Sequence, residues 1–188
     1  IEAALSVLAF GYGANGGARP NRNSFNKAFA DPAGQAILKA KVTLLHCTTE
    51  YPAPVAEANL RAIETMRRTF DLPVGLSDHT PGIAVAAAAV ALGARVIEKH
   101  LTLDKTLPGP DHAASLDPLE FKALVAAMRA VEAALGDGEK RPAPSEAKNK
   151  SVVRKSLVAR RPIAKGEIFS AENLDALRPG DGVSAMDY

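Results

Sequence analysis

The stretch PVGLSDHTPGIAVAAAAVALGARVIEKH, residues 73–100, decides the fold. PVGLSDH (73–79) is a short apolar run that ends in polar side chains, which predicts a buried strand. GIAVAAAAVALG (82–93) predicts a helix, and ARVIEKH (94–100) a second buried strand. Upstream, KVTLLHC (41–47) has the same strand texture. Residues 54–70 place Leu60, Ile63, Met66 and Phe70 at the spacing of an amphipathic helix. Downstream, Asp117 reads as an N-cap, Pro118 as the first helical residue and Glu120 as the partner that closes a capping box. Phe121, Leu124, Met128, Val131 and Leu135 form the apolar stripe of that helix, and Gly136 ends it. Three strands alternating with three helices predict an α/β fold with a parallel sheet and right-handed crossovers.

Outside this core the signals are weaker. IEAALSVLAF (1–10) reads as a helix with Ile1, Leu5 and Leu8 on one face. A Gly- and Asn-rich loop is predicted from Gly11 to about Asn26, then a short helix over 33–40. DGEKRPAPSEAKNK (137–150) is polar, carries two prolines and reads as a linker. From Ser151 onward the texture is that of a second, small unit, in which Ser170 is placed to cap a one-turn helix. The chain opens at Ile1, already inside a helical pattern, which is the expectation for part of a longer protein.

Composition narrows the function. Of 188 residues, 47% are hydrophobic and 23% charged, a globular balance that excludes disorder. A formal charge of +2 supplies no global field for nucleic acid or membrane. The six basic residues between Lys148 and Arg161 have no interleaved aromatics and read as a solvated face. The longest apolar run, Ile83 to Leu92, is about half the ~20 residues that a membrane span needs. The single cysteine excludes an internal disulfide, and no export signal is evident, so a cytoplasmic setting is expected.

All three strands end in chemically capable residues: His46-Cys47-Thr48, Ser77-Asp78-His79 and Glu98-Lys99-His100. In parallel α/β folds the ligand sits at the strand C-termini, so these ends describe one wall of a pocket. Neighbouring parallel strands lie ~5 Å apart, near enough for His79 and His100 to share a divalent cation such as Mn²⁺ or Zn²⁺. The alternative is a histidine pair engaged only in hydrogen bonds. Glu98 points to the same side as His100, which brings an acid and two bases together. Lys99 faces the other way and is expected to be solvated or paired with a helix. Cys47 is expected to be a small buried hydrophobe, and His46 structural or a donor to substrate. Asp111 lies in the rigid loop LPGPDH (107–112) and can accept hydroxyl hydrogens from a sugar. Arg178, fixed by Pro-Gly, can meet a carbonyl or carboxylate with directional donors. Gly11 to Gly16 matches G-x-G-x-x-G, but a helix precedes it and Gly17 and Pro20 follow, so a loop rather than a dinucleotide site is expected. On residues alone, a different metal-dependent barrel enzyme (an aldolase or hydrolase) and a non-catalytic interaction module both stay open.

Together HCTTEYPAP (46–54), GLSDHTPGI (75–83), ALGARVIEKHLTLDKTLPGPDHAAS (91–115) and RPGDG (178–182) resemble the N-acetylneuraminate (sialic acid) synthase family, which includes legionaminate and pseudaminate synthases. The resemblance runs nearly end to end and takes in Gly136-Asp-Gly, Pro144-Ser-Glu-Ala-Lys and Arg154-Lys-Ser. It implies the C-terminal portion of a (β/α)₈ TIM barrel over 1–136, with 41–47, 73–79 and 94–100 as its last three strands. A linker (137–150) and a partial antifreeze-like (SAF), β-rich domain (151–188) would follow. A whole barrel takes ~250 residues, so five strands are expected to lie outside this sequence.

The resemblance further implies condensation of phosphoenolpyruvate with an N-acetylated amino sugar such as N-acetylmannosamine, releasing phosphate by C–O cleavage. His79 and His100 match the ligands of a divalent metal, Mn²⁺ foremost, with Mg²⁺ or Co²⁺ as substitutes. Glu98 and Asp111 match acidic residues that orient the sugar and the metal-bound water. Ser77 and Thr49 match positions near the phosphate and carboxylate of phosphoenolpyruvate, and Tyr51 lines the sugar side. Arg178 matches an arginine that reaches into a partner subunit's site, which implies a domain-swapped homodimer. Ala113, Ala185 and Thr49 depart from residues common in the family. The phosphoenolpyruvate-binding lysines come from strands outside this sequence, so the 188-residue chain alone is expected to be inactive.

Overall fold

The computed structural model describes residues 1–13, 17–178 and 182–187, together with the backbone but not the side chain of Ser151. The chain divides into two compact units, Ile1–Asp137 and Gly138–Tyr188. The first is an α/β arrangement around three parallel strands, β1 (Leu44–Cys47), β2 (Val74–Asp78) and β3 (Ile97–Lys99), in the order β1-β2-β3. Each observed strand is shorter than its predicted run, although Pro73, Arg95 and Val96 just outside still bond to the neighbouring strand. In register, Cys47 faces Ser77, and Ser77 and Asp78 face Glu98 and Lys99. All three polar strand ends therefore lie at one edge.

β2 is buried along its whole length, as a central strand covered on both faces must be. One layer is formed by α4 (Arg61–Phe70) and α5 (Ala84–Ala91), which bring Ile63, Val85 and Ala89 against Val74 and Leu76. Burial of a side chain such as Ile63 contributes ~1.5–3 kcal/mol. The predicted helix over 54–70 is divided: a 3₁₀ turn (Val55–Glu57) is followed by α4, with Asn59 at positive φ between them. The best-signalled helix, α6 (Pro118–Leu135), has the capping box expected of it. Asp117 accepts from the amides of Leu119 and Glu120, Glu120 accepts from the Asp117 amide, and Gly136 follows at φ 60°. Its Leu124 is fully buried against Ala86 of α5 and Leu116.

The N-terminal helices depart from expectation. α1 (Glu2–Tyr12) buries Leu5, Ser6, Ala9 and Phe10, while Ile1 and Leu8 are exposed. The buried face is set by Leu38 of α3 (Pro32–Lys41) and by Leu72, against which Leu5 and Ala9 pack. Between α1 and α3 lies α2 (Arg22–Ala30), in part of the stretch predicted to be loop. Asn21 and Ser24 form its capping box, and Phe25 meets Phe10 edge-on at 5.2 Å. The G-x-G-x-x-G reading starts within α1 and ends outside the described residues, since 14–16 are not among them.

In the second unit, the stretch predicted as linker carries a 3₁₀ helix (Pro144–Asn149) that runs into α7 (Lys150–Val153). Two antiparallel strands follow, β4 (Ser156–Ala159) and β5 (Leu174–Leu177). Residues 171–173 form a turn rather than the predicted one-turn helix, and Ser170 Oγ accepts from the Glu172 amide at 3.3 Å. The interior of this unit is polar. Asn173 is 1% exposed, donating to the Ile168 carbonyl at 2.9 Å and to Glu167 at 3.2 Å, and accepting from the Ser170 amide at 2.8 Å.

The Arg161 guanidinium, the Ala164 amide and Asn173 together hold the Glu167 carboxyl down at about 2. A carboxyl depressed in the folded state stabilises above its ordinary value and loses that contribution as pH falls from there to about 2. Glu167→Gln is therefore expected to lower the melting temperature of this unit at pH 7, with the two melts converging near pH 2. The Asn173 side-chain NMR signal reports the transition, and equal melts at pH 7 would refute the assignment.

Candidate active site

The C-terminal edge of the three strands gathers the sequence-predicted residues of the first unit. His79 follows β2 and is buried, its ring between strand ends. Its Nδ1 lies 2.8 Å from the Thr48 carbonyl. A carbonyl only accepts, so Nδ1 donates there, and Nε2 is the nitrogen on the Ser77 side. His100 follows β3, and the two imidazole centroids are 5.3 Å apart, nearly perpendicular at 78°. Tyr51 completes the ring cluster, 4.1 Å from His79 and 5.1 Å from His100.

Carboxylates close on the same place. Ser77 Oγ donates to Glu98 at 2.7 Å and lies 3.4 Å from His79 Nε2. Asp111 approaches His100 Nδ1 to 3.9 Å. Removal from water by its surroundings raises the Tyr51 hydroxyl above its ordinary value, and Cys47, Asp111 and Glu98 push it in the same direction. Thr49 sits exposed in the segment after β1, beside the Thr48 whose carbonyl meets His79. Arg178 is exposed in the second unit.

The donor set suits a borderline divalent cation. A metal-ligating histidine commonly donates its other ring N–H to a backbone carbonyl, which fixes the ring, and His79 Nδ1 has such a partner in Thr48. Two imidazoles in ring contact with carboxylates nearby offer mixed N and O coordination. Among the described residues no set of three or more His, Cys, Asp or Glu side chains converges tightly enough to cage an ion. Any cation would therefore complete its shell with water or substrate oxygens, as an open catalytic site does.

Residues 1–140 match the NeuB family. The chain belongs to that family. Residues 154–188 match the SAF domain. The NeuB chain is 57% identical over 150 residues to the N,N′-diacetyllegionaminic acid synthase of Campylobacter jejuni, covering 80% of this chain and 45% of the relative. It is 46% identical over 144 residues to a pseudaminic acid synthase of Campylobacter jejuni, covering 77% of this chain and 42% of the relative. A crystal structure of N-acetylneuraminic acid synthetase from Leptospira borgpetersenii, in complex with citrate, aligns with TM-score 0.57 and 33% identity over 78% of this chain and 51% of that one. The NeuB chain thus spans less than half the length of the curated relatives it matches.

Two side chains at the site correct expectations. Cys47 is exposed, with Sγ 3.8 Å from His79 Nδ1, because it is the last residue of β1 and projects beyond the cover given to β2. Lys99 is neither solvated nor paired with a helix: its side chain is 2% exposed and donates to Asp78 at 2.9 Å. His46 takes a structural place, its Nε2 2.8 Å from the Ala58 carbonyl. Asp78, which the sequence places only within a polar strand end, is the buried partner of Lys99. Asp78 and Lys99 stand 21 residues apart, as His79 and His100 do, because each pair spans one strand-to-strand unit.

Proposed function

We propose that this chain supplies the last three β/α units of a (β/α)₈ barrel, with its SAF segment, to a nonulosonic acid synthase that condenses phosphoenolpyruvate with an N-acetylated amino sugar and releases phosphate. The observation that carries the reading is the contact of His79 and His100 at the C-terminal edge of adjacent parallel strands, in a NeuB-family chain. His79 and His100 would hold Mn²⁺ (or Mg²⁺ or Co²⁺), which when bound supplies Lewis-acid polarisation of the sugar aldehyde.

The remaining roles belong to the chain's own side chains. Tyr51, in tilted contact with both imidazoles, walls the sugar side. Asp111, on its loop, accepts sugar hydroxyl hydrogens and so fixes the aldehyde's position. Glu98, held by the Ser77 hydroxyl, is a second acceptor aimed at the same volume. Ser77 and Thr49 face the phosphate and carboxylate end. Arg178 of a second copy would contact the N-acyl group, making the working unit a homodimer. The same reading expects a cytoplasmic enzyme.

The test is a chimera in which this chain replaces the matching segment of the Campylobacter jejuni legionaminic acid synthase. Phosphate release in step with phosphoenolpyruvate consumption and sugar consumption is expected, dependent on Mn²⁺, while the 188-residue chain alone releases none. A folded chimera that consumes neither substrate refutes the reading.

A further inference from the structure

Beneath the histidine pair lies a buried polar network with no part in the chemistry above. Asp78 Oδ1 accepts from the Thr80 amide at 2.9 Å and the Thr80 hydroxyl at 2.8 Å, and Oδ2 accepts from Lys99 Nζ at 2.9 Å. Lys99 also donates to the Thr80 carbonyl. The Lys99 and Asp78 side chains are 2% and 1% exposed. Each partner immediately precedes one histidine: Asp78 precedes His79, and Lys99 precedes His100. His79 is thereby bracketed between Asp78 and Thr80, both tied to Lys99, and its carbonyl accepts from the Ala53 amide at 2.8 Å.

We propose that the Asp78–Lys99 pair is a cross-strand clamp whose task is to hold the His79 and His100 rings at cation-sharing distance. The proposal deepens the reading above, since it takes those two histidines as the cation-holding pair. A buried ion pair is a poor source of stability, because desolvation of both charges offsets most of their attraction. Its distinctive contribution is geometric, since misaligned partners would leave a bare charge in the interior. β3 is short, three residues, and the His100 carbonyl just beyond it accepts from the Leu116 amide at 3.0 Å, a bond that does not involve β2. The clamp fixes the strand ends in register at the position where the two imidazoles emerge. Asp78 and Lys99 are positioning residues, acting through the histidines rather than on substrate.

The experiment uses the 188-residue chain, MnCl₂ as probe, and NMR contacts between the two histidine rings. Asp78→Asn/Lys99→Met removes both charges, retains an acceptor for Thr80 and severs the cross-strand link. The expected result is a folded chain that has lost the His79–His100 ring contact and binds Mn²⁺ at least tenfold more weakly than wild type. Lys99→Arg, which keeps charge and donors, is expected to stay within about threefold. A double variant that keeps the ring contact and wild-type Mn²⁺ affinity overturns the proposal. Should the double variant fail to fold, Lys99→Gln is read by the same two signals, and retention of both overturns the proposal. A wild-type chain that shows the ring contact but binds no Mn²⁺ refutes the metal reading, and the clamp is then judged on the ring contact alone.

Discussion

Replacing either His79 or His100 with alanine is expected to weaken Mn²⁺ binding by more than roughly 100-fold. Loss of a partner that holds a ligating histidine already costs about 10–100-fold, and each ring is one of the two nitrogen donors proposed for the cation. In the chimera the consequence for turnover is larger. A Lewis acid supplies several kcal/mol of charge stabilisation, and ~4 kcal/mol corresponds to about 10³-fold in rate. The control is His46→Ala. His46 lies on the neighbouring strand, but its Nε2 meets the Ala58 carbonyl, so its removal should disturb packing and leave Mn²⁺ affinity within about threefold. Electron paramagnetic resonance of free Mn²⁺ reads all three variants in one titration. Wild-type affinity in the His79 and His100 variants would sink the assignment, and an equal loss in His46→Ala would show that the titration reports folding.

What the sequence disclosed about this arrangement follows from how far each signal travels along the chain. α6 was legible to the residue, because Asp117, Pro118, Glu120 and Gly136 state its ends through local hydrogen bonds and backbone preference. The strands were legible as apolar runs, and their polar ends marked the correct edge. α2 was missed because its apolar repeat is a single turn, Phe25, Ala28 and Phe29, inside a Gly- and Asn-rich stretch; it depends on the Asn21–Ser24 box and on Phe25 meeting Phe10. Tertiary packing also chose the face of α1, where Leu38 and Leu72 select Leu5 and Ala9 over Ile1 and Leu8. Lys99 shows the same limit at the site. Alternation correctly turns it away from Glu98, yet only the register of β2 against β3 reveals a carboxylate waiting there.

That register rests on a glycine, and Gly75→Ala is expected to be severely damaging to the parallel sheet. Gly75 lies within β2, the fully buried strand. A Cβ on it would stand 2.3 Å from the Val96 carbonyl oxygen and 2.6 Å from Leu45 Cδ2. The leucine tip can rotate aside, but the carbonyl cannot, because it accepts the Leu76 amide at 2.9 Å in the link between β2 and β3. Relief therefore requires β3 to move away from β2. Overpacking of a filled interior costs ~1–3 kcal/mol, and the backbone collision places this variant at the top of that range. For a unit of this size a loss of ~3 kcal/mol lowers the melting temperature by roughly 10 °C. Gly11→Ala in α1 is the contrast: its Cβ meets nothing within 4 Å, so the variant should gain up to ~1 kcal/mol from helix propensity. Function separates the two further. Movement of β3 displaces Lys99 from Asp78 and His100 from His79 together, so the Gly75 variant should lose Mn²⁺ affinity even at temperatures where it remains folded. If it melted as wild type and bound Mn²⁺ unchanged, the two strands could not be as close at Gly75 as the structure places them, and the route from strand register to histidine contact would fail with them.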